Sequence, residues 1–214
     1  MVYIPEFAES IASPIVFVFH GHGGTMRHVM ASRRLERLWL EAIIVYPQGL
    51  NTPGKLTDKD GQRPGWHKGP GDMNDRDLHF FDVMLKSFRT DFKINNRRVY
   101  ATGHSNGGGF TYLLWATRGD QFAAFAPSAA VAGRIVSLLK PKPAIHIMRE
   151  QDPLVKPQWQ KLMCKQIMRI NDWATLYPSK TGNPFVLYSH PGDHTYPSMA
   201  DEVVVNFFKT INKP

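Results

Sequence analysis

The sequence predicts an α/β protein with a mostly parallel central sheet and helices on both faces. Two observations carry this prediction. Short β-rich apolar runs alternate with longer segments of helical spacing, and most runs are continuously apolar, as strands buried on both faces require. Six runs qualify as strands, at residues 15–19, 42–46, 98–102, 122–127, 144–148 and 185–189, and residues 2–4 are the candidate for an added edge strand.

Apolar residues at helical spacing follow two of these strands. Residues 77–88 and 110–114 show this spacing, and a last helix is expected over residues 201–211. The stretch 47–74 is polar, rich in glycine and proline, and too long for an ordinary connection, so it predicts a surface loop bordering a site. Neither an internal repeat nor a shift in composition marks a linker, which predicts a single domain over residues 1–214.

Composition excludes several classes of protein. A chain of 214 residues with 43% hydrophobic residues can bury a sizeable core, and its one cysteine, Cys164, cannot form an internal disulfide. It contains no apolar stretch of roughly 18 residues, so no membrane partner is expected. The formal charge of +8 is spread over scattered basic residues, which predicts a solvated surface rather than a nucleic-acid site.

A G-x-S-x-G motif, Gly103 to Gly107, lies directly between a predicted strand and a helical pattern. Such a motif places its serine on a tight strand-to-helix turn, where flanking glycines are needed because a Cβ would collide with neighbouring backbone. The N-terminus of the following helix adds positive potential close to the serine. Ser105 is therefore the candidate nucleophile.

A second glycine-rich loop, His20 to Gly24, follows the first main strand. Small residues there let backbone N–H groups point at a developing negative charge. We expect the N–H groups of His22 and Asn106 to form an oxyanion hole. A dinucleotide-binding fingerprint fails, because Met26 stands where its third glycine would be.

A zinc site is the alternative for this loop, with His20, His22 and His28 as ligands. No neighbouring aspartate or cysteine completes an obvious set, so the sequence predicts no metal.

A nucleophilic serine needs a base and an acid that orients the base, and in this kind of fold the acid and then the base follow the serine along the chain. Asp152 lies in the loop after the strand 144–148, with Glu150 as the substitute. His194 lies in the loop after the last strand, with His190 as the alternative base. Both loops are expected at the carboxyl ends of strands, where open α/β sheets place their sites.

The chain resembles a family of α/β-hydrolase esterases, those grouped with polyhydroxybutyrate depolymerases and with feruloyl and acetylxylan esterases. The resemblance covers nearly the whole chain, and its motifs lie at residues 3–5, 14–24, 45–49, 65–66, 75–81, 98–108, 122–124, 152 with 155, and 192–197.

The resemblance implies the α/β-hydrolase fold, with Ser105 as nucleophile, His194 as base, Asp152 as orienting acid and no cofactor. It also implies that Trp66 and Tyr196 line the substrate cleft, with a role as packing aromatics as the equal alternative for both. Two positions depart from the family pattern: Arg149 stands where glycine is frequent, and Tyr196 stands where tryptophan is frequent. Many members are secreted and longer, so the resemblance implies a secreted enzyme, with a cytoplasmic one as the alternative, and a trimmed domain of a larger protein.

The sequence thus predicts a serine carboxylester hydrolase that forms an acyl-enzyme. Its expected substrates are small or polymer-linked esters, namely feruloyl, acetyl or other short acyl esters of plant polysaccharide. The alternatives are a polyhydroxyalkanoate depolymerase, a serine peptidase or amidase, a non-catalytic polymer-binding relative and a metal-dependent hydrolase.

Overall fold

The structure, a computed structural model, describes residues 1–54, 56–171 and 182–213. Within these residues seven strands form one sheet. They are β1 (Val2–Tyr3), β2 (Ser13–Phe19), β3 (Ile43–Val45), β4 (Ile94–His104), β5 (Ala124–Ser128), β6 (Ala144–Arg149) and β7 (Phe185–His190). Their order across the sheet is β1-β3-β2-β4-β5-β6-β7.

Every neighbouring pair of strands is parallel except β1 and β3, in which Val2 lies opposite Val45. The predicted mostly parallel sheet, including its edge strand, is therefore confirmed. The largest difference in bounds is at β4, which begins at Ile94 rather than at residue 98. Its first half carries the polar residues 95–98, and the register against β2 shifts between Ser13 and Ile15. An apolar pattern therefore could not reveal it.

In the described part of the chain, five α-helices accompany the sheet: α1 (Met26–Arg33), α2 (Arg76–Asp91), α3 (Asn106–Arg118), α4 (Pro157–Ile170) and α5 (Ala200–Thr210). Of these, α2, α3 and α5 match predicted segments, whereas α1 and α4 were not predicted. In α4 the buried positions, 160, 163, 164 and 167, have helical spacing, but one of them is the polar Gln160. A search for apolar residues alone breaks the pattern at that position.

The sheet is covered on both faces, as its apolar strands require. Along β2, Ile15, Phe17 and Phe19 belong to one core cluster, whereas Val16 and Val18 belong to the other. The first cluster contains side chains from α2, α3 and α4, and the second contains side chains from α1 and α5. Within the apolar pattern at residues 77–88, Phe80 of α2 is 39% exposed and does not face the core.

The predicted loop over residues 47–74 is irregular until a short 3-10 turn begins at Asp72. Backbone hydrogen bonds cross-link it, from Gly65 to Leu50 at 2.9 Å and from Thr52 to Arg63 at 3.0 Å. The loop lies beside the carboxyl ends of the strands and borders the site described below. Across the described part of the chain, no helix has both the length and the apolarity needed to span a bilayer.

Candidate active site

Ser105 occupies the turn between the longest strand and the most buried helix. β4 ends at His104 and α3 begins at Asn106, so Ser105 is the one residue between them. Its backbone has φ 55° and ψ −115°, and a positive φ at a non-glycine residue persists only where the surroundings enforce it. The Ser105 N–H donates to the carbonyl oxygen of Ser128 at 2.9 Å. The half-buried side chain consequently faces a cleft at the carboxyl end of the sheet.

Two glycines of the motif make this turn possible. A Cβ on Gly107 would lie 2.5 Å from the carbonyl oxygen of His20, and one on Gly103 would lie 2.5 Å from the carbonyl carbon of Gly107. Real Cβ contacts are not that short, so larger residues would push α3 away from the strands beneath it. The glycine spacing of the motif is therefore a packing requirement of the turn.

A chain of hydrogen bonds leads from Ser105 into the protein. The Nε2 atom of His194 lies 2.8 Å from Ser105 Oγ, and its Nδ1 atom lies 2.8 Å from Asp152 Oδ2. The other carboxylate oxygen, Oδ1, accepts the backbone N–H groups of Leu154 at 2.9 Å and Val155 at 2.8 Å. The carboxylate is completely buried, whereas the imidazole keeps 18% of its surface exposed.

These contacts assign the protons. A carboxylate only accepts hydrogen bonds, so Nδ1 of His194 carries a proton and donates it to Asp152. Nε2 is then the acceptor for the hydroxyl proton of Ser105. This arrangement can remove the serine proton as the oxygen attacks an electrophile, with the carboxylate stabilising the imidazolium that forms.

The two substitute residues considered from the sequence lie elsewhere. Glu150 is exposed and accepts a hydrogen bond from Ser189 Oγ at 2.8 Å. His190 has its Nδ1 atom 2.8 Å from the guanidinium of Arg149. The structure brings Asp152 and His194, not these two, to Ser105.

The loop expected to supply an oxyanion donor lies next to the serine. A Cβ on Gly21 would be 3.7 Å from Ser105 Cβ, and His22 lines the same cleft as Ser105 and Asn106. Among the described residues, neither the N–H of His22 nor that of Asn106 has a hydrogen-bond acceptor. Both groups are thus available to a ligand atom beside Ser105.

The side chain of Asn106 ties the long loop to the serine turn. Its Oδ1 atom accepts the backbone N–H of Trp66 at 2.6 Å, and its Nδ2 atom donates to the carbonyl oxygen of Trp66 at 2.8 Å. Both groups are buried. This paired contact was not predicted, because an asparagine within a serine motif gives no sign of what its amide will bind.

Trp66 and Tyr196, which the family resemblance placed on the wall of the substrate cleft, lie outside it. Trp66 is 1% exposed, packs against Phe110 with ring centroids 5.2 Å apart, and donates from Nε1 to the carbonyl oxygen of His20 at 3.0 Å. Its indole belongs to the core beneath the loop. For Trp66 the structure therefore supports the alternative, a packing aromatic.

The hydroxyl of Tyr196 points into a buried ionic cluster. It accepts a hydrogen bond from Arg33 Nη2 at 2.7 Å and donates to Asp201 Oδ1 at 3.0 Å, while Arg33 Nε donates to the same oxygen at 2.7 Å. Burial raises the pKa of Tyr196, so its hydroxyl remains a donor. The cluster joins α1, α5 and the loop that carries His194.

His104 holds the main chain of the same loop. Its Nε2 atom donates to the carbonyl oxygen of His194 at 2.8 Å, and its Nδ1 atom accepts from Ser128 Oγ at 3.2 Å. Burial, reinforced by the neighbouring imidazole of His194, lowers the pKa of His104 to about 4. The ring is therefore neutral at pH 7, as both hydrogen bonds require.

The cleft beside Ser105 is small, with a volume of about 40 Å³. Its lining is partly apolar and includes His22, Gly54, Leu56, Thr57, Lys68 and Leu154. This volume is far below the roughly 300–1,000 Å³ of typical ligand pockets, so the cleft suits a small group.

The histidines considered as zinc ligands have other contacts. His20 accepts the backbone N–H of Gly49 at Nε2, 2.9 Å away, and His22 Nε2 lies 3.0 Å from Asp58 Oδ2. His28 is exposed on α1. Over residues 1–54, 56–171 and 182–213, no three His, Cys, Asp or Glu side chains are grouped as a metal site would need.

Known structures share this architecture. SOBER1 of Arabidopsis thaliana superposes with a TM-score of 0.71 over 93% of this chain and 99% of its own, at 12% identity. A Bacillus cereus carboxylesterase superposes with a TM-score of 0.65 over 98% of this chain and 92% of its own, at 13% identity. The chain has the α/β-hydrolase fold. Ser105 occupies the strand-to-helix turn of this fold, and residues 152 and 194 occupy the loops after β6 and β7.

No protein-family model matches this chain. By sequence it is 28% identical over 142 residues to probable feruloyl esterase C of Aspergillus terreus, covering 63% of this chain and 46% of the relative. It is 27% identical over 130 residues to feruloyl esterase C of Emericella nidulans, covering 58% and 41%. The aligned chain spans less than half the length of these relatives. The resemblance to feruloyl esterases inferred from the motifs is thereby confirmed over 58% to 63% of the chain, rather than over nearly the whole chain as the motifs predicted.

Proposed function

We propose that this α/β-hydrolase is a carboxylic ester hydrolase with Ser105 as its nucleophile. The observation that carries the proposal is the continuous hydrogen-bonded chain from Ser105 Oγ through His194 to the buried carboxylate of Asp152, with each link at 2.8 Å. The relatives named as feruloyl esterases support an ester as the substrate. One catalytic domain over residues 1–214 is part of the proposal.

The reaction begins with a general-base step. His194 Nε2 takes the proton of Ser105 as Oγ attacks the ester carbonyl, and the N–H groups of His22 and Asn106 stabilise the oxyanion. The imidazolium then protonates the leaving alkoxide, which leaves an acyl-serine. Water, deprotonated by the same imidazole, hydrolyses the acyl-enzyme and releases the acid. Asp152 keeps the Nδ1 tautomer in place and does not take the proton.

The substrate we propose is a small or polymer-linked ester, with acyl esters of plant polysaccharide as the natural class. The cleft volume of about 40 Å³ favours an acetyl-sized acyl group over a feruloyl group within that class. By the resemblance to feruloyl esterases, we also infer that the enzyme is exported.

The test compares wild type with Ser105→Ala and with the control Ser32→Ala, an exposed serine on α1. Initial rates are measured on p-nitrophenyl acetate, butyrate and octanoate and on methyl ferulate. Ser105→Ala is expected to lower kcat/KM on the order of 10⁶-fold, and Ser32→Ala to leave it unchanged. A phosphonate ester should label Ser105 in wild type and in the control only.

The acyl series distinguishes the remaining possibilities. Fastest turnover of acetate supports the small acyl pocket, whereas a preference for methyl ferulate or octanoate contradicts it. Anilide hydrolysis without ester hydrolysis would assign the same serine to amide substrates. If the folded wild type shows no turnover and no phosphonate labelling, the remaining interpretation is a non-catalytic polymer-binding protein.

A further inference from the structure

A chain of buried hydrogen bonds crosses the core from α3 to the loop after β6. The hydroxyl of Tyr112 lies 2.9 Å from His146 Nδ1, and His146 Nε2 lies 2.8 Å from Gln160 Oε1. Gln160 Nε2 lies 2.6 Å from the carbonyl oxygen of Val155. The side chains of Tyr112, His146 and Gln160 are all fully buried.

The direction of every hydrogen bond in this chain follows from its last member. A carbonyl oxygen only accepts, so Gln160 Nε2 donates to Val155 and Gln160 Oε1 is left as an acceptor. His146 Nε2 therefore carries the proton and donates it to Gln160. The bare Nδ1 atom accepts the hydroxyl proton of Tyr112. This pattern requires a neutral imidazole, and burial lowers the pKa of His146 to about 4.

The chain ends at the residue that orients the candidate acid. Val155, whose carbonyl oxygen binds Gln160, donates its own N–H to Asp152 Oδ1 at 2.8 Å. The second oxygen of that carboxylate binds His194. The amide of Gln160 is thus two hydrogen bonds away from the carboxylate, and its anchor is the rigid sheet and the central helix.

We propose that Gln160, held by His146 and Tyr112, is a positioning residue that sets the orientation of the Asp152 carboxylate toward His194. The inference rests on the proposed function, because it assigns a catalytic use to the carboxylate. It extends that function to three residues that touch neither the substrate nor the reacting atoms.

Packing alone does not account for these residues. Gln160 lies on the same buried stripe of α4 as Met163, Cys164 and Ile167, where an apolar side chain would fill the space without an amide to desolvate. Buried polar networks specify one arrangement of the groups they connect. Here the connected group is the backbone of the loop that carries Asp152.

The experiment compares two isosteric variants at opposite ends of α4. Gln160→Met removes both hydrogen bonds of the amide at nearly constant volume. Asn171→Leu is the matched control, because Asn171 is also a buried amide and binds the main chain of Lys142, at 2.8 Å and 3.2 Å, away from the Asp152 loop. Titration with a phosphonate ester counts competent sites, and kcat per site and KM are measured on p-nitrophenyl acetate.

Gln160→Met is expected to lower kcat per titrated site by about tenfold or more with KM within about twofold, since displaced catalytic groups cost rate rather than binding. Asn171→Leu is expected to lose thermal stability while keeping its kcat per site. Two variants with lowered stability and unchanged kcat would overturn the proposal.

A second readout does not depend on turnover. The proton on Nδ1 of His194, hydrogen-bonded to a carboxylate, gives a far-downfield ¹H NMR resonance. We expect Gln160→Met to shift it or broaden it, and Asn171→Leu to leave it in place. An unchanged resonance in Gln160→Met would overturn the proposal.

The failure of the proposed function is distinguishable from the failure of this inference. Wild type without turnover or phosphonate labelling contradicts the enzyme assignment, and the His194 resonance then decides the positioning role alone. If Gln160→Met does not fold, Tyr112→Phe takes its place as the test variant, because it removes only the Tyr112 hydroxyl at the far end of the hydrogen-bond chain. It should shift the same resonance in a smaller degree, and no shift there overturns the proposal.

Discussion

Acid should destabilise this protein through His146, and the size of the effect can be worked from its burial. The imidazole is 0% exposed, and burial lowers its pKa from 6.5 to about 4. In the unfolded chain the ring is in water and protonates at its ordinary value. Between pH 6.5 and pH 4 the unfolded state therefore binds one proton more than the folded state at this position.

The difference in bound protons sets the direction in which the free energy of unfolding changes with pH. Because protons favour the unfolded state in this window, the free energy of unfolding falls as the pH falls. One proton corresponds to about 1.4 kcal/mol per pH unit, so this histidine removes roughly 3 kcal/mol across the whole window. Its contribution is complete above pH 6.5 and is lost by about pH 4.

The assay is urea unfolding at intervals from pH 4.5 to pH 7 for wild type, His146→Gln and His79→Gln. The slope against pH should be shallower in His146→Gln by about 1.4 kcal/mol per pH unit. His79 is exposed on α2, so His79→Gln serves as the control for a histidine substitution at the surface. His104 is present in all three proteins, and its own contribution cancels.

Parallel slopes for wild type and His146→Gln would refute this reasoning. They would mean that the buried ring takes up its proton as readily in the folded protein as in water. The hydrogen bond from Tyr112 to His146 would then be lost below about pH 6.5, since a protonated ring has no acceptor for the Tyr112 hydroxyl.

Three further outcomes are expected. Gly107→Ala should lower the free energy of unfolding by about 3 kcal/mol or more in urea, because its Cβ would lie 2.5 Å from a carbonyl oxygen of the adjacent loop. Arg149→Met removes the guanidinium that binds Thr195 Oγ1 at 2.7 Å beside His194. We expect kcat to fall about tenfold while the melting temperature changes little, and an unchanged kcat would contradict that role. Burial raises the pKa of Cys164 to about 12, so a disulfide reagent should react with it at the rate of global unfolding.

Much of the fold could be predicted because its strands are buried on both sides. Continuous apolar runs as short as residues 15–19 and 42–46, each bounded by a proline and a polar residue, are typical of strands inside a parallel sheet. α1 and the first half of β4 could not be found in that way. Their buried surface is small or polar, so they depend on neighbours that the local sequence does not contain.

The candidate site likewise contains residues that the local sequence could predict and residues that it could not. Ser105, Asp152 and His194 were predicted because each follows a strand, and the carboxyl ends of parallel strands meet at one edge of the sheet. For Trp66 the sequence left a cleft residue and a core aromatic equally open, because an aromatic residue in a loop has the same local signature in both cases. Arg149, a departure from the family pattern, acquires a reason only from its contact with the loop after β7.

The sequence by itself determined the layered α/β class and the three loops that carry the candidate chemistry, since both follow from periodicity and from the order of motifs along the chain. Only the tertiary structure decided which buried polar groups meet. Tyr112 and His146 are 34 residues apart, and Arg33 and Asp201 are 168 residues apart. Such pairs form because the sheet and helices bring distant segments together, and a buried polar side chain then needs whichever partner packing places beside it.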